Sequence, residues 1–136
     1  MTIDCDSTII EVYGHHKQGA SYGYTRKLGY HPLLATRADT GEVLHARLRT
    51  GRAHTARGMP RFVDELLARL RRAGATGELT LRADSGFWSA TTIKRLRRHR
   101  VRYSITVRHA KPVRQAIAAI PEHAWTAIHY PPPGVA

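Results

Sequence analysis

The sequence predicts an α/β domain on a mixed sheet, with antiparallel strands first and parallel strands after them. Three observations carry this. Residues 2–49 hold alternating, β-branched runs separated by turn residues. From residue 59 the apolar period changes from two to that of a helix. Helices and short apolar runs then alternate to residue 120, which is the pattern of crossover units that add parallel strands.

Each element has a local cause. Thr2 to Tyr13 alternates and reads as a strand, with Asp4, Asp6, Thr8, Ile10 and Val12 on one face. Residues 14–32 are rich in Gly, Tyr and basic residues and read as a loop. Leu33 to Arg37 and Glu42 to Arg49 flank Ala38-Asp39-Thr40-Gly41, a hairpin signal. Met59, Phe62, Val63, Leu66, Leu67 and Leu70 form one helical stripe, with Thr55 as the expected N-cap and Gly74 as the stop. Glu78 to Ala83 reads as a buried strand ending at Asp84. Ser89 to Arg98 is a second helix with Ala90, Ile93 and Leu96 inward, and Val101 to Val107 a further strand. Lys111 to Ile120 is a third helix, with Val113, Ala116, Ile117 and Ile120 on one face. Trp125 to Tyr130 reads as a short strand, and the prolines after it form a tail at residues 131–136. The order β-β-β-α-β-α-β-α is that of the ribonuclease-H-like fold, here over residues 1–130.

Charge is the first functional clue. The 136 residues carry 22 Lys and Arg against 10 Asp and Glu, a formal net charge of +12. Such an excess favours polyanions through counterion release, although an Arg-rich composition alone also gives solvated surface charge. The apolar fraction of 42% excludes a disordered composition. No apolar run is long enough to span a membrane, and the N-terminus lacks a signal peptide's basic start. The single cysteine, Cys5, excludes an internal disulfide and suits a cytoplasmic location.

Asp4 and Asp6, two apart on a strand, leave the same face, and Asp84 ends the fourth strand. In the expected sheet, strand four lies beside strand one, so these carboxylates converge. Converging carboxylates repel unless a cation lies between them, and hard oxygens favour Mg²⁺ or Mn²⁺. The alternative reading of Asp84 is a turn or helix cap. Spacing does not choose between Asp4 and Asp6.

Asp6-Ser7-Thr8 is similar to the triplet that carries the first catalytic aspartate of DDE-type insertion-sequence transposases. Arg82-Ala83-Asp84-Ser85-Gly86-Phe87 resembles the element that carries their second. Gly29-Tyr30-His31-Pro32-Leu33-Leu34 and Gly51-Arg52-Ala53-His54-Thr55-Ala56-Arg57-Gly58 resemble further segments of one such group. The resemblance implies Asp6 and Asp84 as catalytic, metal-binding residues, Mg²⁺ or Mn²⁺ as cofactor, and transposon ends and target DNA as partners. It implies strand cleavage and strand transfer, and leaves the oligomeric state of a full-length protein open.

The family's third acid, a glutamate in a Tyr-x-x-Arg-x-x-x-Glu pattern, has no counterpart here. Glu122, in Ile-Pro-Glu-His-Ala-Trp, reads as a surface residue. The expectation is therefore a partial catalytic domain, its C-terminal part missing, with little activity alone. The alternatives are a basic, non-catalytic nucleic-acid-binding remnant and a ribonuclease-H-like nuclease.

The remaining candidates have ordinary explanations. Lys94, Arg95, Arg97, Arg98 and Arg100 either track phosphates or form a solvated helix face. His15-His16-Lys17 with Tyr22, Tyr24 and Tyr30 mixes aromatic and basic residues, as base-stacking loops do, but tyrosines also pack under loops. Ser7 and Ser85 have no evident His and Asp partners.

Overall fold

A computed structural model of the chain describes residues 1–14 and 16–128. Its main sheet has five strands: β1 (Thr2–Ser7), β5 (Leu33–Arg37), β6 (Val43–Arg47), β7 (Thr80–Ala83) and β8 (Arg102–Ile105). Their spatial order is β6-β5-β1-β7-β8. The β1/β5 and β5/β6 pairs are antiparallel, whereas β1/β7 and β7/β8 are parallel. This is the mixed, ribonuclease-H-like arrangement expected from element order, with the first strand at the centre.

The helix α1 (Met59–Arg72) buries the whole predicted stripe from Met59 to Leu70. These side chains pack with Ile3, Cys5, Leu33, Ala35 and Leu81 of the sheet, and with Leu79 just before β7, to form the core. Gly74 stops the helix in the left-handed conformation, at φ 90°. The amide of Ala75 then donates to Leu70 O at 3.0 Å and that of Gly74 to Arg71 O at 3.1 Å, closing the helix end with a 6→1 and a 5→2 bond. The second helix, α2 (Ala90–Arg98), starts at Ser89, whose Oγ accepts from Thr92 N. It ends with the same bond pattern, but Arg100 occupies the left-handed position at φ 54°.

Several expectations need correction. The first strand is not continuous to Tyr13. It ends at Ser7, and β2 (Ile10–Glu11) joins β3 (Ser21–Tyr22) and β4 (Leu28–Tyr30) in a separate small sheet. The expected loop at 14–32 therefore contributes two strands. Backbone packing explains this: a Cβ on Gly51 would collide with the carbonyl oxygens of Ser21 and Gly29, so glycine lets the segments close together. Thr55 does not cap α1. The cap is Gly58, at φ 79°, and Pro60 follows in the first turn. The Arg49 guanidinium takes the carbonyls of His54, Thr55 and Arg57, which holds this stretch in turns instead of helix. Ala90 is exposed, and Thr92 is buried in its place.

The third helix, α3 (Lys111–Ala118), buries no residue. Val113 is half-buried, while Ala116, Ile117 and Ile120 are exposed. Residues 125–128 form no strand, and Trp125 and Ile128 are exposed. The rest of that expected strand and the proline tail lie outside the described residues, as does His15.

Candidate metal and nucleic-acid site

The β1/β7 register sets the site. Asp4 pairs with Arg82 and Cys5 with Ala83 across the parallel ladder. One residue further on, Asp6 follows on β1 and Asp84 follows the end of β7. Because side chains alternate faces, Asp6 shares the face of Asp4, and Asp84 that of Arg82. Asp4, Asp6, Arg82 and Asp84 line one open concavity of about 490 Å³, with Ser104 and Thr106 from the neighbouring strand region.

The carboxylates on this face are used differently. Both oxygens of Asp4 accept from Arg82, Nε at 2.7 Å and Nη2 at 2.8 Å. These bonds hold the Asp4 carboxyl below its usual range. Asp4 is thus occupied by a cation of the chain itself, which separates it from Asp6. Asp6 and Asp84 are exposed and form no ion pair among the described residues. Asp6 Oδ1 accepts from Ser7 N at 2.6 Å, and Asp84 Oδ1 accepts from Gly86 N at 2.9 Å. Each keeps its other oxygen without a protein donor among the described residues. Asp84 also caps the short turn Ser85–Phe87, so the capping alternative is realised too.

Two hard carboxylates with a free oxygen each suit one Mg²⁺-like ion, which keeps several waters and needs only one or two protein ligands. Among the described residues, no group of three or more His, Cys, Asp or Glu side chains gathers as a metal site. Glu122 is exposed in a short turn after α3. Cys5, between the aspartates in sequence, is buried, and burial with the charges of Asp4 and Asp6 pushes its thiol up to about 12. It stays a protonated core side chain and is no nucleophile.

One residue escaped the sequence reading. His31 is buried, with Nε2 2.9 Å from Ser7 Oγ and Nδ1 2.8 Å from Ala53 O. A carbonyl can only accept, so Nδ1 carries a proton and donates to Ala53 O. A serine–histidine pair therefore exists, but a backbone carbonyl stands where a hydrolase triad needs a carboxylate. Twenty-four positions separate Ser7 and His31, and no local pattern signals the contact. His31 ties the chain beside Asp6 to the segment 50–58. Thr55 in that segment abuts Gly86, beside Asp84.

Of the remaining candidates, Arg95 pairs with Asp64 at 3.2 Å, while Lys94, Arg97, Arg98 and Arg100 are exposed. Tyr22 and Tyr24 are also exposed. Tyr30 is half-buried and donates to Gln18 O at 2.8 Å. No helix is long and apolar enough to cross a membrane among the described residues.

The five-stranded mixed sheet, with Asp6 near the end of its central strand and Asp84 just beyond the adjacent parallel strand, is a ribonuclease-H-like arrangement. A profile of the family described as "Transposase DDE domain group 1" matches residues 1–130, and the chain belongs to that family. No curated protein matches it in sequence.

Solved structures share the fold. A piggyBac transposase synaptic complex with hairpin DNA is similar at TM-score 0.61 and 18% identity, over 89% of this chain and 26% of that one. The catalytic domain of Mos1 mariner transposase is similar at TM-score 0.56 and 13% identity, over 81% of this chain and 50% of that one. A Mos1 mariner paired-end complex with Mn gives TM-score 0.52 and 15% identity, over 75% of this chain and 34% of that one. The chain thus spans half or less of the length of these similar structures.

Proposed function

We propose that Asp6 and Asp84 are the catalytic, metal-binding carboxylates of a DNA transposase domain, and that they share one Mg²⁺ or Mn²⁺ ion. The observation that carries the reading is their common concavity, with one oxygen of each left without a protein donor while Asp4 is neutralised by Arg82. Family membership and the Mn of a similar Mos1 complex support the choice of ion. When bound, such an ion would act as a Lewis acid on a phosphodiester oxygen; holding both the attacking and the leaving oxygen takes a pair of ions. The chain's own contribution is orientation: the amides of Ser7 and Gly86 fix one oxygen of each carboxylate and so aim the other. The substrates are transposon ends and target DNA, and the place of action is the cytoplasm.

Taken alone, the chain is proposed to hold an ion but to cleave DNA weakly or not at all. In-line displacement needs attacking oxygen, phosphorus and leaving oxygen fixed together, and two carboxylates hold one ion more readily than two. The second reading, a DNA-binding module without catalysis, draws on the same point and on the net charge of +12.

Mn²⁺ titration followed by electron paramagnetic resonance tests the site. The wild type should bind Mn²⁺, and Asp6→Asn and Asp84→Asn should each weaken that binding severely. Equal binding by all three proteins would remove the metal site. Supercoiled plasmid with Mg²⁺ tests catalysis: robust nicking, lost in Asp84→Ala, would overturn the claim of low activity alone.

A further inference from the structure

A second concavity lies where β6 runs into α1. Arg47, Arg49, Arg52 and Arg57 line a pocket of about 330 Å³, together with Gly58, the N-cap of α1. Among the described residues, the only carboxylate paired with any of the four is Glu65, which binds Arg47. Three of the four positive charges therefore have no carboxylate partner there. Like charges around one pocket repel, and that cost falls when an anion enters.

Arg49 makes the imbalance structural. Its Nε donates to His31 O at 2.7 Å, and its Nη1 donates to the carbonyls of His54, Thr55 and Arg57 at 2.9–3.0 Å. These acceptors are neutral, so the cation is anchored but not compensated. Its Nη2 is buried without a partner. Burial, with Arg47 and Arg57 close by, holds its pKa below the ordinary arginine value. Arg52 and Arg57, by contrast, are exposed and free to close on a ligand. The N-terminus of α1 has no side-chain cap and no acidic residue in its first turn, so its positive end adds to the same field.

We propose that this pocket binds a backbone phosphodiester of DNA, with Arg52 and Arg57 as the clamps and Arg49 as a fixed charge beneath them. The proposal rests on the transposase reading for its choice of DNA, and names a contact point for the strand outside the two aspartates. The pocket's position favours a strand over a free anion. His31 links Ala53 of this segment to Ser7 beside Asp6, and Thr55 abuts Gly86 beside Asp84. A phosphate held here is thus placed at a fixed offset from both carboxylates, which is what positioning a scissile strand requires.

The test is fluorescence anisotropy of a labelled duplex with the full 136-residue chain over a range of salt concentrations. It is run in EDTA, so its outcome does not depend on the metal site. R52A/R57A should weaken binding by roughly tenfold or more, and reduce the slope of log K against log salt by about 1–2. Both positions are exposed, so thermal melts should match the wild type. The charge-matched control is R97A/R98A on the exposed face of α2, which should leave the slope near wild type. Equal losses in the two double variants would overturn the proposal, because charge alone would then account for binding. A parallel arm adds inorganic phosphate at matched ionic strength. Displacement no stronger than by chloride supports the strand. Selective displacement that persists unchanged in R52A/R57A would overturn the assignment, because phosphate would then compete with the strand at another place.

Discussion

Helices α1 and α3 carry the same kind of apolar stripe and meet opposite fates. The stripe of α1 is buried from Met59 to Leu70 between sheet and α2, whereas α3 buries nothing. Periodicity reports that a helix has a face to cover; it does not report that a cover exists. The helix between them, α2, is intermediate: it buries Thr92 and Leu96 and leaves its basic side to solvent. Stability should follow this gradient along the chain, since most helical stability comes from packing an amphipathic face.

The comparison can be broken most forcefully at Phe62, which is fully buried and stacks on His45 with ring centroids 4.5 Å apart. Phe62→Ala should cost about 3–5 kcal/mol in urea unfolding. A loss below about 1 kcal/mol would mean that α1 is not the keystone of the core. At α2, Ser89→Ala removes the side-chain cap on Thr92 N and should cost about 1 kcal/mol. Ser89→Asp should recover most of it, because aspartate caps as well as serine. At α3, Ile117→Ala should change stability by less than about 0.5 kcal/mol, as expected of an exposed side chain. Hydrogen exchange should rank the amides in the same order, slowest in α1 and fastest in α3. A cost at Ile117 comparable to that at Phe62 would erase the distinction between the two helices.

Much of this was legible in the sequence because the informative signals were local. Strand alternation, the α1 stripe, Ser89 and Gly74 each act within a few residues of themselves. The small β2-β4-β3 sheet was not legible, because it depends on Gly29 and Gly51 letting backbones touch across the chain. Thr55 misled for a related reason: its carbonyl and those of His54 and Arg57 are claimed by Arg49, a residue before the segment. At the site, motif resemblance singled out Asp6 and Asp84. Two features were invisible from spacing: Arg82 neutralising Asp4, and His31 bracing Ser7. Both are side-chain contacts between distant positions, and nothing near either residue announces its partner.

The central place of β1 also sets an order in time. Its antiparallel neighbour β5, with β6 on the far side of β5, lies within the next forty or so residues, so that half of the sheet can assemble early. The parallel neighbour β7 meets β1 at a sequence separation of 78, as the Asp4–Arg82 pair records. A chain leaving the ribosome therefore carries Asp6 for most of the domain's synthesis without Asp84 beside it. During that interval Asp4 has no arginine partner from β7, and the two β1 carboxylates stand side by side on one strand face. Docking of β7 is a single event that removes Asp4 from competition and supplies Asp84. The acidic pair thus exists only once β7 has docked, and it comes into being already sorted.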